Sequence, residues 1–234
     1  MSLYAWLMIG SLAGPLLLSF DKKVAFYKWW PTMFPGILVN MVLFILWDSW
    51  FTQTGVWGFN SDYVGSIKYL LLPLEEWSFF IVVPYASIFI YACLRAYVSD
   101  KWWQSKVSLF NYFFILSCLV GIIFFYEKTY TVVNFSIALL VLLYQQFYAK
   151  GTYMGYFWMA YFVHLIPFFL VNGVLTGAVT PEPVVYYSSN EIIGVRLVTI
   201  PLEDSVYALT CLLLPITVME SLRSKLGNSQ KLGA

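Results

Sequence analysis

The stretch Pro73-Leu74-Glu75-Glu76-Trp77-Ser78-Phe79-Phe80-Ile81-Val82-Val83 runs on to Arg95 without another charge, and Pro201-Leu202-Glu203-Asp204 opens a second apolar run of similar length. Each motif sets two adjacent carboxylates at the head of a segment long enough to cross a bilayer. Ionisable groups in such places are costly and mark function by default. Two copies, 128 residues apart in a chain that is only 11% charged, point to a duplicated functional element.

Composition sets the solvent. The chain is 61% apolar and 21% aromatic, whereas a soluble domain averages about a quarter charged residues. Lipid is therefore the medium for most of the surface. A net charge of +1 argues against nucleic acid as a partner. Cys93, Cys118 and Cys211 all lie in apolar runs without metal-ligand spacing, so they read as small hydrophobes and no metal site is expected.

Seven apolar segments follow one another: roughly 3–20, 32–51, 69–94, 109–126, 130–148, 155–175 and 204–222. Each is close to the ~20 residues of a spanning helix. The fourth and fifth are separated only by Glu127-Lys128-Thr129, which predicts a tight turn. With seven spans, Lys22, Lys23, Lys28, Arg95, Lys101, Lys106, Lys150, Arg223, Lys225 and Lys231 fall on one side, and Lys68, Lys128 and Arg196 on the other. The excess of positive charge places the C-terminus in the cytoplasm and the N-terminus outside the cell membrane.

The repeat extends beyond the acidic motifs. Asp48 and Asn172 occupy matching places, as do Asn40 and His164 eight residues earlier. Gly65 and Lys68 precede the first motif, and Gly194 and Arg196 the second. The expected fold is an all-α transmembrane seven-helix bundle of two parallel three-helix repeats: residues 1–100, a connector span 101–128, residues 129–225, and a cytoplasmic tail 226–234. Parallel repeats are related by an axis along the membrane normal. Gly10 and Gly14, four apart on the first span, read as a close-packing seam.

Depth brings the polar residues together. Arg95 and Arg223 each lie 20 residues after Glu75 and Glu203, and Asp48 lies 20 after Lys28. Twenty helical residues span roughly 30 Å, about the hydrocarbon thickness. Asp48, Asn172, Glu75 and Glu203 are thus expected to form one cluster at one boundary. Successive helical residues turn by about 100°, so Glu76 and Asp204 point elsewhere and read either as second acids or as interfacial caps. Two effects compete for the protons. A helix N-terminus and nearby Lys68 or Arg196 favour the ionised form; desolvation and a like-charged neighbour favour the protonated one. Desolvation is expected to prevail for at least one acid.

His164, the only histidine, reads as a buried hydrogen-bonded residue or as a proton relay. Trp47, Trp77, Phe80 and Tyr207 lie near the acids, where aromatic faces suit a carbocation. No Gly-x-Gly-x-x-Gly, phosphate loop or Asp-x-x-x-Asp element occurs, so a flavin or nicotinamide fold and a magnesium-diphosphate site are unsupported.

The doubled Pro-x-Glu-Glu/Asp pattern, Asp48, Asn172 and Gly194-Val195-Arg196 resemble the membrane-integral lycopene cyclases. These occur as two small subunits in some bacteria, and as fused forms in other bacteria, archaea and fungi. The resemblance covers essentially the whole chain and implies a fused form without a phytoene synthase domain. It implies a carotenoid substrate, lycopene or γ-carotene, and a redox-neutral isomerase (intramolecular lyase) that closes β-rings without a cofactor. It also implies Glu75 or Glu203 as proton donor, with the other, or Asp48, orienting it or taking the final proton. Asn172, His164 and Arg196 would be positioning residues, joined in the pocket by Asn40, Trp47, Trp77, Phe80 and Tyr207. The expected partners are the carotenoid and the bilayer, with homo-oligomers or contacts to other carotenoid enzymes left open. The rival reading is a seven-helix proton-coupled transporter, which membrane carboxylates also suit.

Overall fold

A computed structural model describes residues 1–149 and 151–232; Lys150, counted above among the positive charges of one side, lies outside the described residues, as does the side chain of Lys231. The order is α1 (Leu3–Leu18), a 3₁₀ turn (Phe26–Trp29), α2 (Trp30–Thr54), β1 (Trp57–Phe59), β2 (Lys68–Tyr69), β3 (Leu72–Pro73), α3 (Leu74–Tyr97), α4 (Lys101–Ser105) and α5 (Val107–Phe124). It continues with α6 (Thr129–Tyr144), a π-helical turn (Gln145–Ala149), α7 (Met154–Leu175), β4 (Val185–Tyr187), β5 (Arg196–Leu197), β6 (Ile200–Pro201) and α8 (Glu203–Leu232).

Among the described residues, six helices are long and apolar enough to cross a membrane: α2, α3, α5, α6, α7 and α8. The first expected span is shorter than its fellows. At 16 residues α1 extends about 24 Å, short of the ~30 Å hydrocarbon core. The short helix α4, between the third and fourth long helices, was not expected from the hydropathy pattern. The tight turn was: α5 ends at Phe124 and α6 begins at Thr129.

The molecule has two halves. Helix α1 packs on α3, and α6 packs on α8; across the halves α2 packs on α8, and α3 on α7. Helix α5 lies against α6. The short strands repeat the relation. The hairpin β2–β3 pairs Lys68 with Pro73, and β5–β6 pairs Arg196 with Pro201. Strand β1 pairs antiparallel with β4, Trp57 facing Tyr187 and Phe59 facing Val185. Residue 57 plus 128 is 185, and 59 plus 128 is 187, so this ladder joins the two equivalent strands to each other around a local two-fold at Gly58 and Tyr186.

Each hairpin delivers the chain into a helix. Pro73 is extended (φ −64°, ψ 153°) and ends β3, and Leu74 starts α3. Proline tolerates this place because the first amides of a helix have no intrahelical acceptor. Glu75 and Glu76 therefore occupy the first turn of α3, as Glu203 and Asp204 do in α8. At the other end Arg95 forms an ion pair with Glu220, and the Arg223 guanidinium lies 3.7 Å over the Trp29 ring.

Gly10 and Gly14 do not form a seam: a Cβ added at either would meet nothing within 4 Å. The close approach is at Gly36, where a Cβ would lie 2.5 Å from the Pro215 carbonyl oxygen. There α2 meets the backbone of α8, so the contact between halves depends on a missing side chain. Gly36→Val is expected to destabilise the protein by about 1–3 kcal/mol through overpacking, read as a lower Tm in detergent.

Candidate active site

The two acids of each motif part ways. Glu75 Oε1 accepts from the Gly65 amide at 2.8 Å and from the Ser2 hydroxyl. Glu203 Oε1 accepts from the Ile193 amide at 2.6 Å and from the Thr131 hydroxyl at 2.7 Å. Both amides lie ten residues before their glutamate, so the partner of Gly65 in the repeat is Ile193, one position before the expected Gly194. At Gly65 an added Cβ would sit 2.9 Å from Glu75 Oε1, which explains the glycine. The first acid of each motif thus binds the loop that precedes its own helix.

The second acids face inward and meet across a chamber of about 40 Å³. Its walls include Asp48, Glu76, Asn172, Asp204, Tyr4 and Tyr207. Trp57 and Phe59 of β1, and Val185 and Tyr187 of β4, close one end. Neighbouring helices supply matching hydroxyls. Tyr4 on α1 donates to Glu76 Oε2 at 2.7 Å, and Tyr130 on α6 donates to Asp204 Oδ1 at 2.6 Å.

Beyond that the halves differ, with Asp48 against Asn172, Phe59 against Tyr187, Phe79 against Tyr207 and Trp57 against Val185. Asn172 Nδ2 donates to Asp204 Oδ2 at 2.7 Å, and the Tyr187 hydroxyl donates to the same oxygen at 2.9 Å. Asp204 therefore accepts from three neutral donors. Burial and the adjacent Asp204 carboxyl push the Tyr187 phenol well above its usual pKa, so it stays a donor. Opposite, Asp48 stands in the place of Asn172, and Phe59 in the place of Tyr187. The Asp48 carboxyl is in hydrogen-bond contact with Glu76 and with the Tyr207 hydroxyl. Its Oδ1 has no hydrogen bond among the described residues, and the residue is 1% exposed. A carboxylate has no donor, so a hydrogen bond between two carboxyls requires a proton held between them.

The other candidates take outer places. Phe80 is fully buried behind the chamber against Phe44, while its neighbour Phe79 lines the wall. Trp47 packs at 5.3 Å from Tyr207 and backs the chamber without lining it. Trp77 bonds the Tyr69 carbonyl in the hairpin. Arg196 is exposed, donates to Thr199 O and lies 5.9 Å over the Tyr187 ring. Asn40 donates to Cys211 Sγ at 3.5 Å in the interior. His164 lies two turns along α7 from Asn172, about 12 Å away. The Ser87 hydroxyl donates to Val83 O and so accepts from His164 Nδ1 at 2.9 Å, leaving Nε2 with the lone pair.

Sequence reasoning missed Tyr4, Tyr130, Tyr187 and Phe168. A signal existed: Tyr4 and Tyr130 are 126 apart and Phe59 and Tyr187 are 128 apart, close to the repeat spacing.

The family model for lycopene cyclase matches residues 1–94 and 127–222. The chain belongs to the lycopene cyclase family. The match falls in two segments that leave out α4 and α5, and the family implies an enzyme of carotenoid cyclisation rather than a transporter. No curated protein and no solved structure matches the chain.

The clamps at Glu75 and Glu203 carry a stability consequence. Glu75→Ala and Glu203→Ala each leave a loop amide without its acceptor and are expected to cost about 1–3 kcal/mol, whereas Glu75→Gln keeps an acceptor oxygen and most of the stability. Thermal unfolding in detergent reads the difference.

Proposed function

We propose that the protein is a lycopene β-cyclase whose proton donor is the Asp48–Glu76 pair and whose carboxylate base is Asp204. The observation that supports this is the unequal provision for two facing acids: Glu76 lies beside a second carboxyl, Asp48, and Asp204 accepts from three donors.

The chemistry follows from those states. The pair passes its proton to the terminal double bond of an acyclic carotenoid end, leaving a tertiary cation. The internal double bond attacks this centre, forming the ring bond and moving the positive charge to a ring carbon. Loss of a neighbouring ring proton forms the ring double bond, and Asp204 takes that proton. One proton enters and one leaves, so no redox cofactor is required by the balance. Asp204 offsets the cation by its charge, and Phe79, Tyr207 and Trp57 present faces that suit it. The chamber lined by both acids returns the proton to the pair. Glu75 and Glu203, first expected as donors, hold the loops in this reading. His164 is too far along α7 to act on the same ring.

The finer architecture belongs to the same proposal. Seven crossings, with α1 as the short one, would form two parallel repeats at residues 1–100 and 129–225 about the 101–128 connector. Helix N-termini bearing the acids would lie at the outer boundary, with the C-terminus in the cytoplasm. One chamber serves one carotenoid end at a time, so the second end requires release and reversal.

Expression in lycopene-accumulating cells, with pigments separated by chromatography, tests the reading. Wild type is expected to make β-carotene, with the monocyclic γ-carotene accumulating first. Asp48→Asn, Glu76→Gln and Asp204→Asn are each expected to slow cyclisation by about 10²–10⁴-fold, while Glu75→Gln retains activity. Unchanged pigment in wild type, or full activity in all three variants, would overturn it.

A further inference from the structure

A second cavity, of about 540 Å³, opens beside the chamber between α1, α3 and α7. The two share Phe79, Phe168 and Asn172 as walls. Apart from Asn172, Ser11, Ser87 and His164 its lining is apolar. Its flank is open: Trp6 is 59% and Leu170 70% exposed at its rim. The chamber alone has room for little more than water, so the rest of a long hydrocarbon has to lie outside it.

We propose that this groove binds the unreacted polyene of the carotenoid, which slides in sideways from the bilayer, and that Gly10 sets the groove's width. The inference rests on the cyclase reading for the identity of the occupant. Gly10 lines the groove, is exposed, and has nothing within 4 Å of an added Cβ. It stands six residues from Tyr4, about 9 Å along α1 from the acid it serves. A side chain there projects into the space the polyene takes and displaces no protein atom.

The repeat carries α1, α3 and α7 onto α6, α8 and α2. In that place Phe44 is fully buried, stacked on Trp47 at 5.2 Å and edge-on to Tyr207 at 4.8 Å. The groove beside Gly10 lies between α1, α3 and α7. It runs along α7 past Asn172, the donor to Asp204, so a polyene lying in it points its end at the gap between the two acids.

The test compares Gly10→Ala, Gly10→Leu and Gly10→Trp with Leu116→Trp, which places the same indole on the exposed face of α5. Two readouts are taken on protein purified into lipid nanodiscs with lycopene: cyclisation rate, and induced circular dichroism of the bound polyene. Graded loss is expected with side-chain size, reaching about ten-fold or more for Gly10→Trp, together with loss of the dichroism. Leu116→Trp is expected to stay within about two-fold of wild type. If Gly10→Trp fails to reach the membrane, Gly10→Leu decides. Undiminished dichroism and rate in the folded Gly10 variants would overturn the proposal, as expected if a lipid acyl chain fills the groove instead. The dichroism reads the groove even if wild type makes no ring, so a failure of the cyclase reading and a failure of the groove are separable.

Discussion

Two carboxyl groups in contact inside a nearly dry site cannot both be ionised, because neither has a donor and like charges repel strongly at low dielectric. In the proposed reading, this constraint at Asp48 and Glu76 keeps a proton where an alkene would need one. The surrounding structure supports that contact. The hairpin brings Pro73 to the head of α3, which turns Glu76 inward. Glu75 holds the preceding loop. Tyr4 fixes one oxygen of Glu76, and the β1–β4 ladder closes the end against water.

The same parts are repeated around the facing acid. Asp204 has its own hairpin, its own clamp in Glu203 and its own tyrosine. Two of the differences between the halves bear on these acids. Asparagine at 172 offers a donor where Asp48 needs a shared proton, and tyrosine at 187 adds a hydroxyl where Phe59 has none. A duplicated element would give two equal acids; in the proposed reading these differences make one the acid and the other the base. Differences of that kind between paired carboxyls are how a site divides acid and base work. On the apolar side, a groove beside Gly10 opens next to the chamber.

Much of this was legible in the chain. The paired motifs, Asp48, Asn172 and the tight turn after Phe124 could be read because charge is scarce and lipid enforces helices. The repeat spacing matched the ladder of β1 with β4. What could not be read was direction. Periodicity places Glu75 and Glu76 a hundred degrees apart but does not say which faces the other half, since that depends on how α3 meets α2 and α7. The loops decided it: the Gly65 and Ile193 amides captured the first acids, and hydropathy carries no trace of an amide's aim. The short α1 was overestimated because its apolar run continues past the helix end at Leu18. Gly10 and Gly14 suggested packing by spacing alone, whereas the helix backbone contact formed at Gly36.

The location of the held proton is the central claim, and infrared spectroscopy of carboxyl groups reads it directly. At neutral pH the wild-type protein is expected to show the carbonyl band of a protonated carboxyl. Asp48→Asn and Glu76→Gln should each abolish that band, because each converts the acid pair into a carboxylate beside an amide donor like Asp204 beside Asn172. Asp204→Asn and Glu75→Gln should leave it in place. A band absent from wild type, or one that disappears with Asp204→Asn and survives both changes in the pair, would contradict the account.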